Sequence, residues 1–170
     1  MITVVGIDPG LAATGIGILR GVGENVSGYS YGVIKTSQRA SEPMRLEHIY
    51  TKLTDVLQKN MPDLMVVEDI FSLKRYPKSG ILLGKVSGVT LLAGYRQGIT
   101  IAEIPVREAK HVLTGNGNAT KVQLEKAVRH FLNHPTEICP NHASDALALA
   151  IIGLLRHCGP LSGKIKITTR

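Results

Sequence analysis

The chain has 170 residues and a formal net charge of +7, with 44% hydrophobic and 19% charged residues. That length suits one domain with a sizeable core, and the composition is that of a globular protein rather than a disordered or fibrous one. Its two cysteines, Cys139 and Cys158, have no CxxC spacing, which excludes a thiol-rich zinc site and reads as free thiols in a reducing compartment, with a single disulfide as the alternative.

Three strands are predicted first. Ile2–Asp8 is a buried apolar run that turns at Pro9-Gly10, Thr14–Leu19 is a second, and Val26–Lys35 alternates at Tyr29, Tyr31 and Val33 with the strand period of two. The short glycine-containing links between them favour antiparallel hairpins. An amphipathic helix begins near Glu42, with Leu46, Ile49, Tyr50, Leu53, Val56 and Leu57 at spacings of three and four, and Pro62 stops it before the strand Leu64–Glu68. A basic loop with Phe71, Lys74, Arg75, Tyr76 and Lys78 leads to an apolar helix over Gly80–Tyr95. Thr100–Ile104 is a fifth strand, Val106–Leu113 a short helix, and Thr120 caps the next helix. Asn141 opens a last helix running to about Arg156, and residues 159–170 form a polar, basic tail after a domain spanning 1–158. The order βββαβ followed by alternating helices and strands predicts an α/β domain with a mixed sheet. No basic segment precedes Ile2, Asp8 cuts the first apolar run short, and Gly80–Gly94 is too short for a bilayer and contains Lys85. The expectation is therefore a cytoplasmic protein without a signal peptide or membrane span.

The charge is unevenly placed. Residues 71–129 hold ten Lys and Arg against three acids, a net +7, while the remainder holds ten of each. One middle segment thus carries the whole excess, which points to a polyanionic partner such as nucleic acid, against the plainer reading of a basic solvated surface.

Three acids sit where an acid is costly. Asp8 and Glu68 end predicted strands after apolar runs, and Asp145 lies in the apolar helix His142-Ala-Ser-Asp-Ala-Leu-Ala. Carboxylates in such places are paired, protonated or bound to metal. The ends of α/β strands are where ligands bind. His142 and Asp145, three apart, share one helix face, so three carboxylates and an imidazole offer ligands for Mg²⁺ or Mn²⁺. Two such ions promote phosphodiester cleavage. Each residue also has a plainer role: Asp8 ordering a turn, Glu68 pairing with a lysine, Asp145 favouring a helix N-terminus, His142 capping. No P-loop, dinucleotide fingerprint or Gly-x-Ser-x-Gly elbow is present.

Taken in order, Gly6-Ile-Asp-Pro-Gly, Thr14-Gly, Val67-Glu-Asp-Ile-Phe71, Leu83-Gly84, Lys110, Lys121 and Ser144-Asp-Ala-Leu-Ala resemble the bacterial RuvC family of Holliday-junction resolvases, over roughly Val4 to Ile152. The resemblance implies a ribonuclease-H-like mixed five-stranded sheet flanked by helices. It implies a homodimer that makes paired, metal-dependent nicks in four-way DNA junctions and leaves 5′-phosphate ends. Asp8, Glu68 and Asp145 match the family's catalytic carboxylates, and His142 its fourth metal position, for two Mg²⁺ or Mn²⁺ ions per site. Lys110 and Lys121 match lysines near the scissile DNA, and Phe71 an aromatic that stacks on junction bases. Lys74 and Arg75 extend that loop as substrate contacts. RuvA and RuvB are the partners implied. Lys85-Val-Ser-Gly departs from the Gln-x-Arg-Gly-like stretch of many relatives, and the Tyr76-Pro77 loop is particular to this chain. Other readings are a ribonuclease-H-like nuclease on ribosomal precursor RNA, an actin-like phosphotransferase, for which the chain is short, and a non-catalytic DNA-structure binder.

Overall fold

A computed structural model describes residues 1–69, 77–158 and 167–168. Three strands come first: β1 (Ile2–Asp8), β2 (Ala13–Val22) and β3 (Asn25–Lys35). Helix α1 (Glu42–Asn60) and strand β4 (Leu64–Glu68) follow. Next are α2 (Pro77–Arg96), β5 (Thr100–Ile104), α3 (Val106–Thr114), α4 (Lys121–Phe131) and α5 (Asn141–Cys158). A two-residue β6 (Ile167–Thr168) lies in the tail. The sheet order is β3-β2-β1-β4-β5-β6. The first three strands are antiparallel neighbours, β4 and β5 join β1 in parallel, and β6 runs antiparallel to β5. The five expected strands form the mixed sheet, and β6 is an addition that the polar tail did not announce.

Strand alternation divides the core into two layers. Val4, Leu19, Leu64 and Val66 face α5, together with buried residues of α3 and α4. Val5, Ile7, Ile16, Ile18, Met65 and Val67 face the other way, against Ile49, Leu53 and Leu57 of α1 and Val86 and Ala93 of α2. The α1 trio recurs every fourth residue, which keeps it on one stripe. Met61 ends α1 in the left-handed region at φ 42°, its N–H donating to the Leu57 carbonyl, and Pro62 follows.

Helix α5 is the axis of the molecule. From Ala143 to Arg156 every residue is buried. It lies across β1 and β2 because those strands present glycine to it. A side-chain carbon on Gly17 would come 2.6 Å from the Leu147 nitrogen, and one on Gly15 would overlap the His142 carbonyl. Only glycine allows this backbone-to-backbone approach.

Candidate active site

Register brings the first two carboxylates together. In the parallel β1–β4 pair, Gly6 is opposite Val66 and Ile7 opposite Val67, so Asp8 and Glu68 emerge side by side at the strand ends. The turn after Asp8 is clasped by Thr14, fully buried, whose hydroxyl donates to the Gly10 carbonyl at 2.8 Å. Docking of α5 on Gly15 then delivers His142 and Asp145 to the same edge. His142 Nδ1 lies 2.6 Å from Asp8 Oδ2, across 134 residues of sequence.

Lys121 completes the cluster. It is the first residue of α4, whose start is fixed by a capping box: the Gln123 N–H donates to Thr120 Oγ1 at 3.2 Å, and Gln123 Oε1 accepts from the Thr120 N–H at 2.9 Å. Its Nζ reaches Asp145 Oδ2 at 3.2 Å. The sequence reading placed Lys121 near DNA phosphate. Its contact with a site carboxylate was not foreseen.

The electrostatics follow from burial without enough positive charge. Burial pushes the Glu68 carboxyl up to about 8, helped by a hydrogen bond with Asp8 and by the charges of Asp8 and Asp145, while Lys121 opposes the rise. Burial also raises Asp145, against the pull of Lys121. His142 is raised chiefly by its hydrogen bond to Asp8. Burial alone would lower Lys121, but Asp145 and the other two carboxylates carry it upward. Glu68 therefore holds its proton to a higher pH than an ordinary carboxyl does.

This donor set suits a hard divalent cation, because oxygen ligands dominate and an ion's charge would offset the burial that raises these carboxyls. Among the described residues, however, no three such side chains already form a chelating group. The donor atoms are engaged with one another: Asp8 with His142 and Glu68, Asp145 with Lys121. An ion would have to open the Asp8–His142 and Lys121–Asp145 contacts to use those atoms.

The other expected residues are placed differently. Lys110 is half-buried on α3 and joins none of the cluster's ion pairs among the described residues. Phe71, Lys74 and Arg75 lie outside the described residues. The sequence reading gave Thr14, Gly15 and Gly17 no role in the site; the adjacent pair Thr14-Gly15 was the only signal of one. A cavity of about 590 Å³ lies between β3 and α1, lined by Ile16, Ile34, Lys52 and Lys59 among others. It is lined mainly by β-sheet and α1 side chains, and none of the cluster's carboxylates contributes to it.

Comparison with known proteins bears on this geometry. The family model described as "Crossover junction endodeoxyribonuclease RuvC" matches residues 4–153, a span that contains all four candidate ligands and Lys121. A protein of that name from Geotalea uraniireducens is 35% identical over 164 residues, 96% of this chain and 94% of its own. Its counterpart from Geobacter sulfurreducens is 36% identical over 148 residues, covering 87% and 89% of the two chains. Among solved structures, Thermus thermophilus RuvC in complex with Holliday junction substrate superposes with a TM-score of 0.87 at 27% identity, covering 98% of this chain and 99% of that one. The yeast mitochondrial resolvase Ydc2, 14% identical with a TM-score of 0.57 over 89% of this chain and 77% of that one, shares the fold. On the family match and the relatives' near-complete coverage, the chain belongs to the RuvC family of crossover junction endodeoxyribonucleases.

Proposed function

We propose that this chain resolves four-way DNA junctions by paired, metal-dependent nicks, with Asp8, Glu68, Asp145 and His142 holding two Mg²⁺ or Mn²⁺ ions. The observation that carries this reading is the convergence of three carboxylates at one sheet edge with too little compensating charge, seen in the rise of Glu68 to about 8. Bound divalent ions supply Lewis-acid charge at the phosphate and ease deprotonation of water. The protein's own residues prepare that chemistry. Thr14 fixes the turn after Asp8 through the Gly10 carbonyl, and His142 holds the Asp8 carboxylate itself, so that carboxylate is oriented in advance. Glu68 gives up its proton when cationic charge arrives. Lys121, more than half exposed, is tethered at Asp145 and within reach of a backbone phosphate entering the site.

Two further features support the family's assembly. On α2, Ile81, Lys85, Gly88, Leu92 and Tyr95 follow spacings of four and three, and Ile81, Leu92 and Tyr95 are exposed. A side-chain carbon on Gly88 would meet nothing within 4 Å. Such an apolar, glycine-notched stripe suits close packing with a second copy, and we assign the homodimer contact to it. The C-terminal tail beyond 158 is read as a basic appendage to the nuclease domain. Among the described residues no helix is long and apolar enough to cross a membrane. A cytoplasmic location and work alongside RuvA and RuvB complete the proposal.

The test compares four-way junction, linear duplex and RNA–DNA hybrid, each with and without Mg²⁺, for wild type, D8N, E68Q and D145N. Junction-selective, metal-dependent nicking that each substitution abolishes while junction binding survives is the expected result. Substantial nicking by any one variant would remove that residue from the essential set. Preference for the hybrid would favour the ribonuclease reading.

A further inference from the structure

We propose that a pocket at the C-terminal end of α4 is a second phosphate-binding site, which grips the backbone of a duplex arm about one helix-length from the nick. The inference rests on the junction-nuclease reading above and extends it to a surface outside the carboxylate cluster.

The pocket has a volume of about 290 Å³ and is lined by Lys126, Arg129, His130, Asn133 and His134. Two permanent cations and no acid line it. Glu125, buried beneath, pairs with Arg129 through Nε at 3.4 Å and also accepts the Ile138 N–H at 3.1 Å. That arrangement fixes the guanidinium, which has two amino nitrogens besides Nε.

The walls are built rather than incidental. After the C-cap Leu132, Asn133 adopts φ 50°, its N–H donating to His130 at 3.2 Å, and the His134 N–H reaches the Arg129 carbonyl at 2.9 Å. This is a Schellman closure with asparagine in the left-handed position. His134 is then braced from β3: Nδ1 lies 2.6 Å from the Tyr29 hydroxyl and Nε2 3.3 Å from that of Tyr31, with both rings edge-on at 5.8 Å. A site held this way loses little ordering entropy on binding an anion.

Basic residues in a last helical turn also offset the helix dipole, which accounts for Arg129 and His130. It does not account for Lys126, placed earlier in the helix, or for a wall tied to another strand. The carbonyl end of a helix repels anions, so the attraction here comes from the side chains.

Geometry selects the ligand. On α4, Val122, Lys126 and Arg129 follow spacings of four and three and share one flank, while Lys121 opens the helix about 100° around from Val122. From Lys121 to Arg129 the helix rises about 12 Å at about 1.5 Å per residue. Laid along the axis of a duplex, which advances about 3.4 Å per base pair, the two ends of α4 span roughly three to four base pairs. A repeating polyanion engages both ends at once, whereas an isolated phosphate or a short acidic peptide meets only one.

The experiment measures junction affinity against salt for wild type, K126A/R129Q and K126A/H130A, the last altering two exposed side chains only. Each protein is also titrated with junctions carrying a single neutral methylphosphonate at successive positions from the scissile phosphate. The expected result is a salt slope lower by about 2 in K126A/R129Q. Wild-type binding should weaken for methylphosphonates near the third and fourth positions, and the variants should be indifferent to them. Unchanged salt slopes in both variants, with methylphosphonate effects that simply add to the substitutions, would overturn the site. Failure of wild type to nick junctions at all would instead overturn the functional reading beneath it.

Discussion

Glu68→Gln should make the metal-free protein more stable at alkaline pH and remove most of the pH dependence that the site imposes. The Glu68 carboxyl ordinarily titrates at 4.5 and in the fold is pushed up to about 8. The folded state therefore binds this proton more tightly than the unfolded chain does. Its stabilising contribution is complete below about 4.5 and is lost as pH rises through about 8. At about 1.4 kcal/mol per pKa unit, the wild type loses at most about 5 kcal/mol across that window. The coupling with Asp8 divides this between two groups, so a loss of a few kcal/mol is the expected size. Glutamine keeps the shape and donates to Asp8 as the protonated acid does, yet it carries no charge at any pH. Urea unfolding in chelator at pH 5, 7 and 9 is the assay. The two proteins should nearly coincide at pH 5 and separate in favour of E68Q by pH 9. Adding Mg²⁺ or Mn²⁺ at pH 8 should then stabilise wild type by more than it stabilises the variant. Parallel stability curves for the two proteins, with equal response to metal, would refute the argument that this carboxyl is strained by uncompensated charge.

Gly17→Ala should destabilise the protein by about 1–3 kcal/mol or more, read from the urea midpoint, because the added carbon meets α5 backbone at 2.6 Å rather than a flexible side chain. Leu92→Glu on the exposed stripe of α2 should yield a folded monomer by sedimentation, and an unchanged dimer would move the interface elsewhere. His142→Asp should narrow a preference for Mn²⁺ over Mg²⁺, since imidazole suits the softer ion. Because the Asp8 hydrogen bond raises the His142 pKa, metal affinity of wild type should already decline on acidification before pH reaches 6.5, more steeply than in the variant. Calorimetric metal titrations at two pH values would check both statements.

Element type was legible locally. The alternation in β3, the every-fourth-residue stripe of Ile49, Leu53 and Leu57, and the Thr120 cap of α4 are short-range patterns that act through nearby residues. The sequence also singled out Asp8, Glu68, Asp145 and His142, because a carboxylate after an apolar run is conspicuous without any partner in view. Tertiary structure decided how they meet. Asp8 stands beside Glu68 only because Ile7 pairs with Val67, and a slip of one residue would send one of them to the opposite face. His142 reaches Asp8 only because glycine at 15 and 17 lets α5 settle on the sheet. The Lys121–Asp145 contact, the pocket at the end of α4 and the edge strand β6 left no local signature. Each depends on elements distant in the chain, whose approach is set by the shapes of the surfaces that pack between them, and those shapes exist only once the core has formed.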